Sequence, residues 1–131
     1  MAPPIRTVLV DDSEEIRALL RYALDREPDF EVVAEAGDGA AGVAAVSIHT
    51  PHLVLLDIAM PVMDGLQALT LIREESPGSI VVVFSAFTDV SGAAERTAQM
   101  GAHAYIEKHA GMSELIKDLR RTLAREFGLH S

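Results

Sequence analysis

A chain of 131 residues, 49 % hydrophobic and only 5 % aromatic, has the length of one domain with a core built mainly from Val, Leu, Ile and Ala. It contains no cysteine, which excludes disulfides and thiolate metal sites and fits a cytoplasmic, reducing compartment. A formal net charge of −9 argues against direct nucleic-acid binding, which needs clustered Lys and Arg, and no segment reaches signal-peptide character or the ~20 apolar residues of a membrane span.

Short apolar runs alternate with helical patterns along the chain. Thr7-Val8-Leu9-Val10 reads as a buried strand, followed by a helix capped by Ser13 or Asp12, with Ile16, Leu19, Leu20, Ala23 and Leu24 recurring at helical spacing. Glu27-Pro28-Asp29 stops that helix, residues 30–34 form a short strand, and Gly37-Asp38-Gly39 makes a turn with an N-cap. A small Ala-rich helix with Val43 and Val46 inward comes next, then Leu53-Val54-Leu55-Leu56-Asp57, the clearest buried strand.

From Asp64 a helix turns Leu66, Leu69 and Ile72 inward until Ser76-Pro77-Gly78. Ile80-Val81-Val82-Val83-Phe84 is another uninterrupted strand, residues 89–100 are helical by composition but weakly amphipathic, and Ala104-Tyr105-Ile106 is a short strand. Residues 113–127 make a strong helix with Leu115, Ile116, Leu119 and Leu123 in register. Strand-then-helix units in this sequence imply an α/β fold, a parallel sheet with right-handed crossovers and helices on both faces, as one domain over 1–131 with its core at about 5–127.

In such a sheet ligands sit beyond the carboxyl ends of the strands. The first strand runs into Asp11-Asp12, the third into Asp57, the fourth into Ser85, and Lys108 follows the fifth. Any one of these alone is an ordinary turn, cap or surface residue; their joint placement on one sheet edge is what points to chemistry. Carboxylates ~4 Å apart repel by about 4 kcal/mol at an effective dielectric of ~20, so the cluster calls for a hard divalent cation with oxygen ligands. Mg²⁺ is favoured over Zn²⁺, since no His or Cys is placed beside the acids. Mg²⁺ completes its shell with phosphate oxygens, and an aspartate can be the nucleophile of phosphoryl transfer. Asp57 is the candidate acceptor, with Lys108 and the Ser85 hydroxyl neutralising phosphoryl oxygens.

The chain resembles the receiver domains of bacterial two-component response regulators. The matching residues are Val8-Leu9-Val10-Asp11-Asp12, Leu55-Leu56-Asp57-Ile58-Ala59-Met60-Pro61-Val62-Met63-Asp64-Gly65, Ser85-Ala86, Gly101-Ala102 leading to Tyr105, and Lys108. The resemblance implies a doubly wound, flavodoxin-like three-layer α/β/α fold with strand order 2-1-3-4-5. It makes Asp57 the phosphoacceptor, served by a sensor histidine kinase or phosphotransfer protein. Asp12, Asp57 and the backbone carbonyl of Ala59 become ligands of Mg²⁺ (or Mn²⁺), with Asp11 acting through water. Ser85, Ala86 and Lys108 bind the phosphoryl group, Ser85 and Tyr105 switch together, and Pro61 and Gly65 are structural.

The fourth helix, fifth strand and fifth helix would form the output face toward a partner protein, an attached output domain or a second copy. The chain is then no conventional enzyme; it catalyses its own phosphorylation and dephosphorylation. A 1:99 to 99:1 switch needs ~5.5 kcal/mol of preference, and the small-residue helix around 93–100 is the element expected to shift.

His109 stands where many receivers carry a cis proline; a cis non-proline bond costs ~3–4 kcal/mol, which favours trans. Ala59 and Phe87 border the acceptor. His49, His52, His103, His109 and His130 form no metal cluster by spacing, and Lys117, Arg120, Arg121 and Arg125 read as a solvated basic face. One rival is a Mg²⁺-dependent phosphohydrolase of the haloacid-dehalogenase type, but its first strand should end in Asp-x-Asp rather than Asp-Asp-Ser. The other is a degenerate receiver that docks without phosphorylation, against which the intact signature positions speak. The Lys108-His109-Ala110 stretch and the 31–36 strand look like receivers that precede a DNA-binding domain, so either a complete single-domain regulator or part of a longer one is expected.

Overall fold

The computed structural model describes residues 3–58, 65–85, 92–108 and 111–127. Along it run β1 (Ile5–Val10), α1 (Glu14–Asp25), β2 (Phe30–Ala36), α2 (Gly39–His49), β3 (Leu53–Leu56), α3 (Gly65–Glu75), β4 (Ile80–Ser85), α4 (Ala93–Gln99), β5 (Ala104–Glu107) and α5 (Met112–Phe127). All strand pairs are parallel, in the order β2-β1-β3-β4-β5. This is the doubly wound arrangement that the family resemblance implies.

Period-two alternation splits the apolar strands between two cores. Leu9, Leu53, Leu55, Ile80, Val82, Phe84 and Ile106 face one way and pack with Leu20 and Leu24 of α1 and with Leu115, Leu119 and Leu123 of α5. Val8, Val10, Val54, Leu56, Val81 and Val83 face the other way, against Val46 of α2 and Ala68, Leu69 and Ile72 of α3. A fully buried Leu or Val contributes roughly 1.5–3 kcal/mol, and the residues of β3 and the first four of β4 are all at most 5 % exposed. The sheet therefore holds its carboxyl edge rigidly. The glycine at 42 allows α2 to close on β1, since a Cβ there would lie 2.7 Å from Val10 Cγ1.

Several expectations are sharpened or corrected in detail. Ser13, not Asp12, caps α1: its side chain accepts the Ile16 N–H at 3.2 Å, which leaves Asp12 free for the sheet edge. Leu19 is 52 % exposed, because α1 presents only a narrow stripe to the sheet and Leu20 and Leu24 fill it. Strand β2 continues to Ala36, through a register shift between Thr7 and Val8 of its neighbour. Asp38 is the N-cap of α2, its side chain accepting the Ala41 N–H at 2.8 Å. The described part of the fourth helix starts at Ala93; its expected beginning at 89, the expected start of the third helix at Asp64, and Ala59, Pro61, Ala86, Phe87, His109 and His130 lie outside the described residues.

The basic residues of α5 are not a bare cationic face. Arg120 Nη2 pairs with Glu27 at 2.6 Å and Asp29 at 2.9 Å, and Arg121 with Asp118 at 2.8 Å. Lys117 pairs with Glu114 at 3.6 Å and Arg125 with Glu126 at 2.9 Å. The Arg120 hydrogen bond holds the Asp29 carboxyl below its usual range, against a smaller opposing effect of burial.

Nor is His52 a loop residue turned wholly to water. Its Nδ1 accepts the Arg6 N–H at 2.9 Å and its ring stands edge-on to Phe127, centroids 6.5 Å apart. His103 likewise accepts the Val81 N–H through Nδ1 at 3.0 Å. Burial pushes His103 below its ordinary value of 6.5, and Arg73 adds to this while Glu126 opposes it. Because the folded ring resists protonation more than the unfolded one, its stabilising effect is complete above pH 6.5 and declines as pH falls below that. Thermal melts between about pH 8 and about pH 5 should show a shallower acid loss in His103→Asn, whose amide oxygen can keep the Val81 contact; equal slopes would exclude His103 as a source of acid lability.

Candidate functional site

The site is built by register. Val10 pairs with Leu56 and Leu56 with Val83, so Asp11 and Asp57 each lie one residue beyond a matched strand end. The Asp57 N–H donates to the Val10 carbonyl at 2.9 Å and the Asp11 N–H to the Ala36 carbonyl at 3.0 Å. Ser85 and Glu107 are partners across β4 and β5, and Lys108 follows directly. Tyr105, half-buried, is paired with Val83 and packs against the core on the α2–α3 side.

Carboxylate oxygens of Asp11, Asp12 and Asp57 all lie within 4.8 Å of one another. Asp11 is 2 % exposed and Asp57 4 %, while Asp12 is open to solvent. Lys108 Nζ stands 2.7 Å from Asp11 Oδ2 and 3.3 Å from Asp57 Oδ2, and 5.7 Å from the centre of the Phe84 ring. Burial disfavours the Lys108 charge, but the contacts with Asp11 and Asp57 outweigh it and raise its pKa above the ordinary 10.5. A raised lysine stabilises the fold below that value and loses the effect only as pH rises beyond it. At neutral pH Lys108 is a fixed cation.

One ammonium among several carboxylates leaves the edge acidic. The buried Asp11 Oδ2 meets no hydrogen-bond partner among the described residues apart from its ion pair with the Lys108 ammonium at 2.7 Å. An under-satisfied buried oxygen next to further carboxylate oxygens, one set solvent-accessible, fits a hard, water-carrying divalent cation such as Mg²⁺. The expected site residues Asp11, Asp12, Asp57 and Lys108 are thus brought together. Ser85, 0 % exposed, ends the neighbouring strand on the same edge.

Gly65 begins α3 directly against this edge: a Cβ there would collide with Ile58 Cα and lie 2.6 Å from the Asp57 carbonyl oxygen. Contacts that sequence patterning did not disclose also shape the site. The Asp11 Oδ1 accepts the Ser13 N–H at 2.9 Å, and the Asp11 carbonyl accepts from Arg17 Nη1 at 2.6 Å. The available signal was Arg17 lying six residues after Asp11, in the second turn of a helix that leaves the acidic pair.

Comparison with known proteins places these features in a family. The family model described as "Response regulator receiver domain" matches residues 7–120. The chain is 38 % identical over 117 residues to protein-glutamate methylesterase/protein-glutamine glutaminase 2 of Nitratidesulfovibrio vulgaris, covering 89 % of this chain and 31 % of that protein. It is 35 % identical over 129 residues to the nitrate/nitrite response regulator protein NarL of Escherichia coli, covering 96 % of this chain and 58 % of the relative. The chain spans about a third or less of the length of the first curated relatives it matches. Among solved structures it is similar to the response regulator domain of Thermotoga maritima CheB, with TM-score 0.82, 28 % identity and 98 % and 99 % of the two chains covered. It is also similar to a chain of the CheX-CheY-BeF3-Mg complex of Borrelia burgdorferi, with TM-score 0.84, 26 % identity and 95 % and 90 % covered.

Proposed function

Because this chain belongs to the response regulator receiver domain family, we propose that it accepts a phosphoryl group on Asp57 from the phosphohistidine of a sensor kinase or phosphotransfer protein. The observation that carries this reading is a buried Asp57 at the end of β3, with Asp11 and Asp12 oxygens within 4.8 Å and a fixed Lys108 cation at 3.3 Å. An Asp57 carboxylate oxygen attacks phosphorus, the P–N bond breaks, its electron pair stays on the imidazole nitrogen, and an acyl phosphate forms. Burial of Asp57, 4 % exposed, limits its own contact with water, and the Lys108 ammonium would offset the negative charge of the transferred group.

The donor set fits Mg²⁺, with Mn²⁺ a substitute. Asp12, Asp57 and the carbonyl of Ala59 would hold it, with Asp11 acting through water. When bound, the cation supplies charge neutralisation for the carboxylates and the phosphoryl oxygens. Ser85, Ala86 and Lys108 would receive those oxygens, and Tyr105 would follow Ser85.

The new charge of about −1.5 to −2 would be read out on α4, β5 and α5 by a partner, an attached output domain or a second copy. The enzymatic name of one relative belongs to a protein of which this chain matches 31 %; this chain itself is read as the regulatory part, chemically active only on its own acyl phosphate. No described helix is long and apolar enough to cross a membrane, and a cytoplasmic location goes with the proposed kinase partner.

Incubation with acetyl phosphate and Mg²⁺ should label the protein stoichiometrically, as read by intact mass. Asp57→Asn should lose the label by several orders of magnitude in rate, since an amide is no nucleophile for phosphorus here. Labelling that survives in Asp57→Asn, or none in the wild type with either acetyl phosphate or a kinase, overturns the proposal.

A further inference from the structure

We propose that Arg17 is a positioning residue for divalent-cation binding, holding the Asp11–Asp12 peptide so that Asp12 projects into the site; this rests on the phosphoacceptor reading above. Arg17 Nη1 donates to the Asp11 carbonyl oxygen at 2.6 Å. That oxygen belongs to the peptide plane joining Asp11 to Asp12. Gripping it restrains rotation of that plane, and with it the direction in which the Asp12 Cα–Cβ bond leaves the turn.

The rest of the turn is held at separate points. The Asp11 N–H is tied to the Ala36 carbonyl at 3.0 Å and Asp11 Oδ1 to the Ser13 N–H at 2.9 Å. Neither bond constrains the Asp11–Asp12 plane as directly as the guanidinium does. Asp12, exposed on the turn, depends on it most.

Arg17 is itself immobilised. Its side chain is 15 % exposed, and its Nε donates to Glu35 Oε1 at 3.1 Å. Glu35 in turn takes Arg21 on its other oxygen at 2.6 Å. The chain of contacts runs from the last residues of β2 through α1 to the acidic edge, so the guanidinium is set by secondary structure rather than by a mobile loop. Glu35 also offsets a positive charge that would otherwise lie close to a cation site.

Electrostatics and positioning predict opposite signs, which makes the idea testable. Removing a positive charge near a cation site should by itself tighten cation binding. Releasing the Asp11–Asp12 peptide should weaken it, and outer contacts of this kind typically control metal affinity by 10–100-fold.

The experiment is calorimetric titration of the full chain with Mg²⁺ for the wild type, Arg17→Met, Arg17→Lys and Glu35→Gln. Arg17→Met should bind Mg²⁺ about ten-fold more weakly, with Arg17→Lys and Glu35→Gln between it and the wild type. At saturating Mg²⁺ the acetyl-phosphate labelling rate of Arg17→Met should recover toward wild type, which a general folding lesion would not allow. Unchanged or tighter Mg²⁺ binding in Arg17→Met overturns the proposal. Should melting curves show that Arg17→Met is unfolded, Arg17→Lys, which keeps the charge, decides: weakened binding supports the role and wild-type affinity overturns it. A wild type that binds no Mg²⁺ overturns the phosphoacceptor reading, and this inference with it.

Discussion

Replacing Lys108 by methionine is expected to destabilise the metal-free protein by about 3 kcal/mol or more and to make its stability depend strongly on Mg²⁺. Asp11 and Asp57 are 2 % and 4 % exposed, and Lys108 is the cation in contact with both, at 2.7 Å and 3.3 Å. Taking one partner from a buried pair leaves the other charges desolvated without compensation, which costs more than the pair itself contributes. A cation bound between the carboxylates replaces part of what is lost, by mass action on the folded state. Urea unfolding with a chelator and with excess Mg²⁺ measures both. A loss of equal size in the two conditions would mean that the ion does not share the lysine's carboxylates.

Gly65→Ala is expected to cost on the order of 3 kcal/mol, large for the addition of one methyl group. The added Cβ would enter the space of Ile58 Cα and sit 2.6 Å from the Asp57 carbonyl oxygen. These are backbone atoms at the end of a strand whose residues are all essentially buried, so neither side can yield cheaply. Either α3 moves outward or the Asp57 peptide rotates, and the second response would also slow phosphoryl labelling. The urea midpoint checks the first effect and the acetyl-phosphate rate the second. A change within about 0.5 kcal/mol, as at an ordinary surface position, would show that helix and strand can part without cost.

The two experiments separate the stabilising from the functional demands on one sheet edge. Carboxylates packed beside one lysine are poor for stability and good for holding a cation and a phosphoryl group, a trade that functional sites commonly make.

The sequence alone determined the layer structure and the sheet edge that carries the candidate site. Apolar runs such as Leu53-Val54-Leu55-Leu56 must be buried on both faces, and helical spacing in α1, α3 and α5 supplies the covers. A parallel sheet then has no choice but to bring the residues after its strands to a common edge, which is why Asp11, Asp12, Asp57, Ser85 and Lys108 were legible there. Tertiary structure decided what periodicity cannot encode. Ser13 rather than Asp12 caps α1, Leu19 stays at the surface, the α5 cations find acidic partners, His52 and His103 accept backbone N–H groups, and Arg17 reaches back to the Asp11 carbonyl. Each depends on distances between segments remote in sequence or on competition between neighbouring side chains for one partner. Only the folded chain, in which register and helix docking set those distances to tenths of an ångström, resolves them.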